Sequence, residues 1–105
     1  MVKYTVEYSE SFRTSLVQTI KEWETELFIP ENQVNQFVQA IYKSIELIKI
    51  FPEMNEEVSL VYGFREPTYR ILIGKSYAIF YRINKNENKI LIGNLYKQKQ
   101  MKLQF

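Results

Sequence analysis

The chain has no cysteine, no histidine and no aspartate among its 105 residues, and only three glycines and three prolines. Without cysteine there is no disulfide framework and no thiolate chemistry, which suits a reducing compartment. With histidine and aspartate also missing, the usual ligands of zinc, copper and iron are gone, and no cofactor or metal is expected. Long apolar runs are absent too. No stretch approaches the roughly 20 residues that span a bilayer. Met1-Val2-Lys3-Tyr4 opens an alternating pattern rather than a secretion signal. The expectation is a cytoplasmic protein with no membrane partner.

What is present is a core. A hydrophobic fraction of 46% and an aromatic fraction of 15% belong to a packed protein, and the length suits one domain over residues 1–105. The net charge of +2 conceals a division. Residues 1–63 hold five Lys or Arg against ten Glu, whereas residues 64–105 hold nine against two. A basic half of this kind points to a polyanionic partner, nucleic acid first. Drift in surface charge would produce the same count.

Val2, Tyr4, Val6 and Tyr8 alternate with polar residues and mark a strand with one buried face. Ser9 follows as an N-cap and Glu10 suits the first turn of a helix. Phe12, Leu16, Ile20, Trp23 and Leu27 then recur at helical spacing. Phe28-Ile29-Pro30 breaks that helix and starts a second, whose face is Val34, Phe37, Val38, Ile41, Ile45 and Ile48. Tyr42, Leu47 and Ile50 widen its stripe, so it is expected to be the more buried.

Residues 52–57 read as a polar loop, and 58–64 as a short strand or extended approach through Leu60, Tyr62 and Phe64. A hairpin over 68–73 and 76–83 turns at Gly74-Lys75. Asn84–Asn88 is a turn by composition, Lys89–Tyr96 a further strand, and the basic tail 97–105 is expected to fray. The fold class is therefore α+β. An N-terminal strand and an antiparallel helical hairpin precede a C-terminal antiparallel meander of three or four strands, with the helices on one sheet face.

Alternation assigns the faces of that sheet. Tyr69, Ile71, Ile73, Tyr77, Ile79, Tyr81 and Ile83 suit the helix side. Arg70, Leu72, Phe80, Arg82, Asn94, Tyr96 and Gln98 fall on the other, expected to be uncovered. Guanidinium groups beside exposed rings suit RNA, whose phosphates meet arginine while its bases stack. Snorkelling arginines on a solvated sheet would look the same.

This order of elements resembles the RelE/ParE superfamily of bacterial type II toxins. So do Tyr69-Arg70-x-Leu72, the Gly-Lys turn, Tyr77-x-Ile79-x-Tyr81-Arg82-Ile83, and the ending Ile90-Leu91-Ile92-x-x-Leu95-Tyr96-Lys97-x-Lys99. The resemblance implies a toxin neutralised by a cognate antitoxin. RelE-like members cleave mRNA on the ribosome, and ParE-like members inhibit DNA gyrase. Ala78 stands where RelE-type members tend to carry an arginine.

Ribosome-dependent mRNA cleavage would draw on Arg70, Arg82 and Lys97 to stabilise the phosphorane and on Tyr96 as acid, with Glu66 or a lysine as base. Glu66 also suits a plain salt bridge. Lys75, Phe80, Asn94, Gln98 and Lys99 would bind the nucleic acid. The alternatives are gyrase inhibition through surface contacts and a degenerate member without toxicity.

Overall fold

A computed structural model describes residues 3–100 and 103–105. Strand β1 (Thr5–Tyr8) leads directly into helix α1 (Glu10–Thr25). Ser9 between them caps the helix, its hydroxyl accepting from the Phe12 amide at 3.0 Å. The chain leaves α1 through Phe28, whose φ of 51° no helix continues. Pro30 then opens α2 (Glu31–Ile50), as a residue that needs no amide partner there can.

The remaining elements are strand β2 (Glu56–Glu57), the one-turn helix α3 (Ser59–Tyr62), and strands β3 (Tyr69–Ile73), β4 (Tyr77–Asn84) and β5 (Lys89–Lys97). They form one sheet in the order β1-β5-β4-β3-β2. β1 runs parallel to β5 at one edge, and the other pairs are antiparallel. The N-terminal strand thus finds its partner in the meander, and the α+β expectation holds.

The helices cover one face. Phe12 of α1 and Phe37, Ile41, Ile45 and Ile48 of α2 pack on Ile71, Ile73, Tyr77, Ile79 and Tyr81. The second helix is the more buried, as its periodicity predicts. Tyr42, Leu47 and Ile50 do not widen its buried stripe; all three are exposed, as is Leu27. A helix lying on a sheet buries only the stripe that meets it, and these side chains flank that stripe. Two phenols anchor this core. The Trp23 indole N–H donates to the Tyr77 hydroxyl at 2.8 Å, and the Tyr81 hydroxyl donates to the Pro52 carbonyl at 2.6 Å.

Strict alternation along β5 fails. Between the pairs Ile79–Leu95 and Tyr81–Ile92, two residues of β5, Gly93 and Asn94, stand opposite Phe80 alone. This β-bulge shifts the phase of the strand. Ile90, Ile92 and Leu95 therefore all join the helix side, and Tyr96 goes to the other. The displaced amides find partners outside the ladder. Asn94 N–H donates to the Phe105 carbonyl, and Leu95 N–H to Ser15 Oγ at 3.0 Å.

The other face, expected to be open, carries a second core. Val58, Ala78, Phe80 and Tyr96 form a buried cluster, covered by Tyr62, Phe64, Leu103 and Phe105. Residues 58–64 are not a strand. The Val58 carbonyl accepts from the amides of Val61 and Tyr62, making the turn of α3, and Gly63 ends it at φ 73°. Nor does residue 105 fray: with Leu103 it packs on the sheet.

Candidate functional site

β3 and β4 place Arg70 beside Phe80 in register, and the Ala78–Tyr96 pair joins them to β5. Arg70, Phe80, Arg82 and Tyr96 do share one face, but as parts of a packed cluster. Phe80 is 0% and Tyr96 2% exposed, which corrects the expectation that both rings face solvent. Their rings stack at 4.3 Å between centroids, with Phe64 and Tyr62 edge-on to Phe80 at 5.0 and 5.1 Å. Offset and edge-on contacts of this kind stabilise a cluster beyond its buried area.

The arginines frame the cluster. Arg70 Nη1 donates to the Tyr62 hydroxyl at 3.0 Å and Nη2 to Glu56 at 2.8 Å. Burial works against that guanidinium's charge, but Tyr62, Tyr96 and Glu56 outweigh it and raise its pKa. Arg82 Nε donates to Thr68 Oγ1 at 3.0 Å, and Nη1 meets Glu66 at 3.2 Å. Its Cζ lies 3.9 Å from the centre of the Phe105 ring, a cation–π contact. Of the two roles open to Glu66, the salt bridge is the one it takes. Among the described residues, Arg70 Nε and the Tyr96 hydroxyl are buried without a hydrogen-bond partner. Burial and then Tyr62 push the Tyr96 phenol well above its ordinary pKa, so it keeps its proton.

Other candidates lie elsewhere. Lys97 shares the phase of Leu95, and its amine reaches back to Glu22 of α1 at 3.1 Å, on the helix side. It is not part of the arginine–tyrosine group. Asn94 sits half-buried in the bulge. Gln98 lies by the Gly-Lys turn, its amide donating to the Tyr77 carbonyl at 3.0 Å and its backbone N–H to the Ser76 carbonyl at 2.8 Å. Lys75 and Lys99 are exposed at the same end of the sheet.

Folding also redistributes the divided charge. Arg70 pairs with Glu56, Lys85 with Glu53, Lys89 with Glu7, and Lys97 with Glu22, each joining the basic half to the acidic one. The asymmetry in sequence thus becomes contact between halves.

Sequence reasoning missed Tyr62, Phe64 and Phe105 as members of this site. Tyr62 follows Val58 by four residues and precedes a glycine, the spacing of one helical turn and its stop. No comparable local signal exists for Phe105.

A β-sheet with a helical hairpin on one face and an arginine–aromatic group on the other defines an α+β class shared with known toxins. Residues 6–101 match the model of the ParE toxin of the type II toxin-antitoxin system parDE, and the chain belongs to that family within the RelE/ParE superfamily. Its fold is similar to the toxin-antitoxin complex RelBE2 of Mycobacterium tuberculosis, at 17% identity and a TM-score of 0.57, over 92% of this chain and 100% of that one. It is similar also to the archaeal RelE-RelB complex of Pyrococcus horikoshii OT3, at 16% identity and a TM-score of 0.58, over 96% and 100%. No curated protein matches the chain by sequence. Among the described residues no helix is long and apolar enough to cross a membrane.

Proposed function

We propose that this ParE-family toxin acts by binding its target rather than by cutting RNA, that the target is DNA gyrase, and that a cognate antitoxin neutralises it. The family match and the two toxin-antitoxin folds support the antitoxin partner. One observation carries the choice of mechanism. Ala78, which stands where RelE-type relatives carry arginine, is 0% exposed beneath the Phe80–Tyr96 cluster. General acid–base cleavage needs groups within hydrogen-bond reach of the reacting atoms. Here the candidate acid is buried, both arginines are tied to carboxylates, and Lys97 is on the opposite face. A binding toxin needs none of these groups to be free.

The mRNA-cleaving reading keeps one support, the unpartnered donors Arg70 Nε and Tyr96 hydroxyl, which a phosphate could satisfy. The test is to add the purified protein to a gyrase supercoiling reaction and to cell-free translation. Loss of supercoiling with intact mRNA is the expected result. Cleavage of mRNA within coding regions with supercoiling unaffected would overturn the reading.

A further inference from the structure

Left-handed backbone falls on residues suited to it at three places in this chain and on an unsuited one at a fourth. Helix α3 ends on Gly63 at φ 73°, the turn after β3 opens on Gly74 at φ 62°, and Asn88 takes φ 55°. Helix α1 ends on Phe28 at φ 51°. Its stop has the usual form. The Ile29 amide donates six residues back to the Trp23 carbonyl at 2.8 Å, a closure whose left-handed residue is ordinarily glycine. A phenylalanine there sets its Cβ against the backbone and strains the turn.

No buried contact within the chain offsets that strain. The Phe28 side chain is 81% exposed and Leu27 beside it 53%, and Phe28 belongs to neither buried cluster. An exposed apolar side chain by itself implies nothing. A bulky ring held out to solvent where glycine is the easier residue is different, because strain that the fold does not need collects where other molecules are met. The charges around the ring indicate the kind of surface it fits. Glu24, Glu26 and Glu31 flank it, all exposed, and among the described residues none of the three has an ion-pair partner. Such a tip repels a phosphate backbone and complements an apolar pocket rimmed by cations. A protein that holds DNA carries cationic surface of that kind.

We propose that Phe28, at the tip of the helical hairpin, anchors this toxin to its protein target, its ring entering an apolar pocket rimmed by Lys or Arg side chains that face Glu24, Glu26 and Glu31. The proposal rests on the reading that the target is gyrase. Aromatic side chains are enriched at the centres of protein interfaces, and a few such anchors carry most of the binding energy. The closure from Ile29 to Trp23 and the fixed backbone of Pro30 already hold the tip, so little ordering is left for binding to impose.

The experiment measures thermal melting and inhibition of purified gyrase for wild type, Phe28→Gly, Phe28→Asn and a triple variant carrying Glu24→Gln, Glu26→Gln and Glu31→Gln. Glycine and asparagine accept the left-handed turn, so both single variants are expected to melt at or above the wild-type temperature. Both are expected to need at least about tenfold more protein to inhibit supercoiling. The triple variant is expected to lose most of the salt dependence of inhibition. Wild-type potency in Phe28→Gly would overturn the anchor, and so would melting well below wild type, since the ring would then be held by its own chain. Unchanged salt dependence in the triple variant would overturn the cationic rim. If Phe28→Gly inhibits like wild type but escapes neutralisation by co-expressed antitoxin, Phe28 meets the antitoxin and the proposal fails. If wild type spares gyrase, the choice of target fails, and growth arrest on induction decides the anchor. Full arrest by Phe28→Gly overturns it, loss of arrest in a variant that melts like wild type upholds it, and a wild type that arrests nothing overturns both readings.

Discussion

Replacing Phe80 by alanine separates a solvent-facing stacking platform from a second core. Phe80 is 0% exposed and lies against Tyr96, Phe64 and Tyr62 at 4.3, 5.0 and 5.1 Å. Phe→Ala in a packed interior costs about 3–5 kcal/mol through lost transfer energy and the cavity left behind. A small domain has about 5–15 kcal/mol in total. Each kcal/mol moves the melting temperature of a domain this size by about 4–8 °C, so a fall of about 12–40 °C is expected. Thermal melting followed by circular dichroism and Trp23 fluorescence measures it. Leu72→Ala is the control, on the same face but 54% exposed, and should change stability by about 0.5 kcal/mol or less. A Phe80→Ala melting point within about 3 °C of wild type would mean an exposed ring, and the closed second face would be wrong.

Lys97→Met should leave toxicity on induction unchanged and stability within about 0.5 kcal/mol, because its bridge to Glu22 is half exposed; lost toxicity would restore it to the site. Burial raises the Tyr81 phenol from 10.0 to about 12. The folded protein therefore holds that proton more tightly than the unfolded chain. The stability this contributes is whole below pH 10.0 and is lost as the pH rises towards 12. Urea midpoints should fall between pH 10 and 11, and Tyr81→Phe should flatten the decline; an equal slope in the variant refutes the assignment. The Glu57 carboxylate accepts from the Ser59 hydroxyl and amide and from the Thr68 amide, which hold its pKa below the usual range. Its contribution is present above the ordinary carboxylate pKa and lost as the pH falls through the lowered one. Glu57→Gln should weaken the acid-side dependence and speed amide exchange at Ser59; unchanged exchange at Ser59 would count against this role.

Much of the molecule was legible before any coordinates. Ser9 reads as a cap because its short side chain places an oxygen over the next turn, and it caps. The helix faces follow from 3.6-residue periodicity, and Tyr69 to Ile83 from a period of two, since both are set by local backbone geometry. A strand followed by a helical hairpin has no local partner, and β1 finds one in β5 at the edge of the meander's sheet.

The residues themselves thus determined the long helices and strands, most of the helix-side core and the family. Three matters waited for tertiary structure. The bulge at Gly93-Asn94 depends on which residue of β4 stands opposite, and its one extra residue puts Ile92 on the helix side while Tyr96 stays on the other. The charge division is resolved only when Glu7, Glu22, Glu53 and Glu56 meet their cations from distant sequence. The second face is closed by Tyr62, Phe64 and Phe105; one-turn helical spacing marks Tyr62 locally, but what these side chains cover is set by long-range packing. Local periodicity says which side chains point together, and only the assembled chain says what covers them.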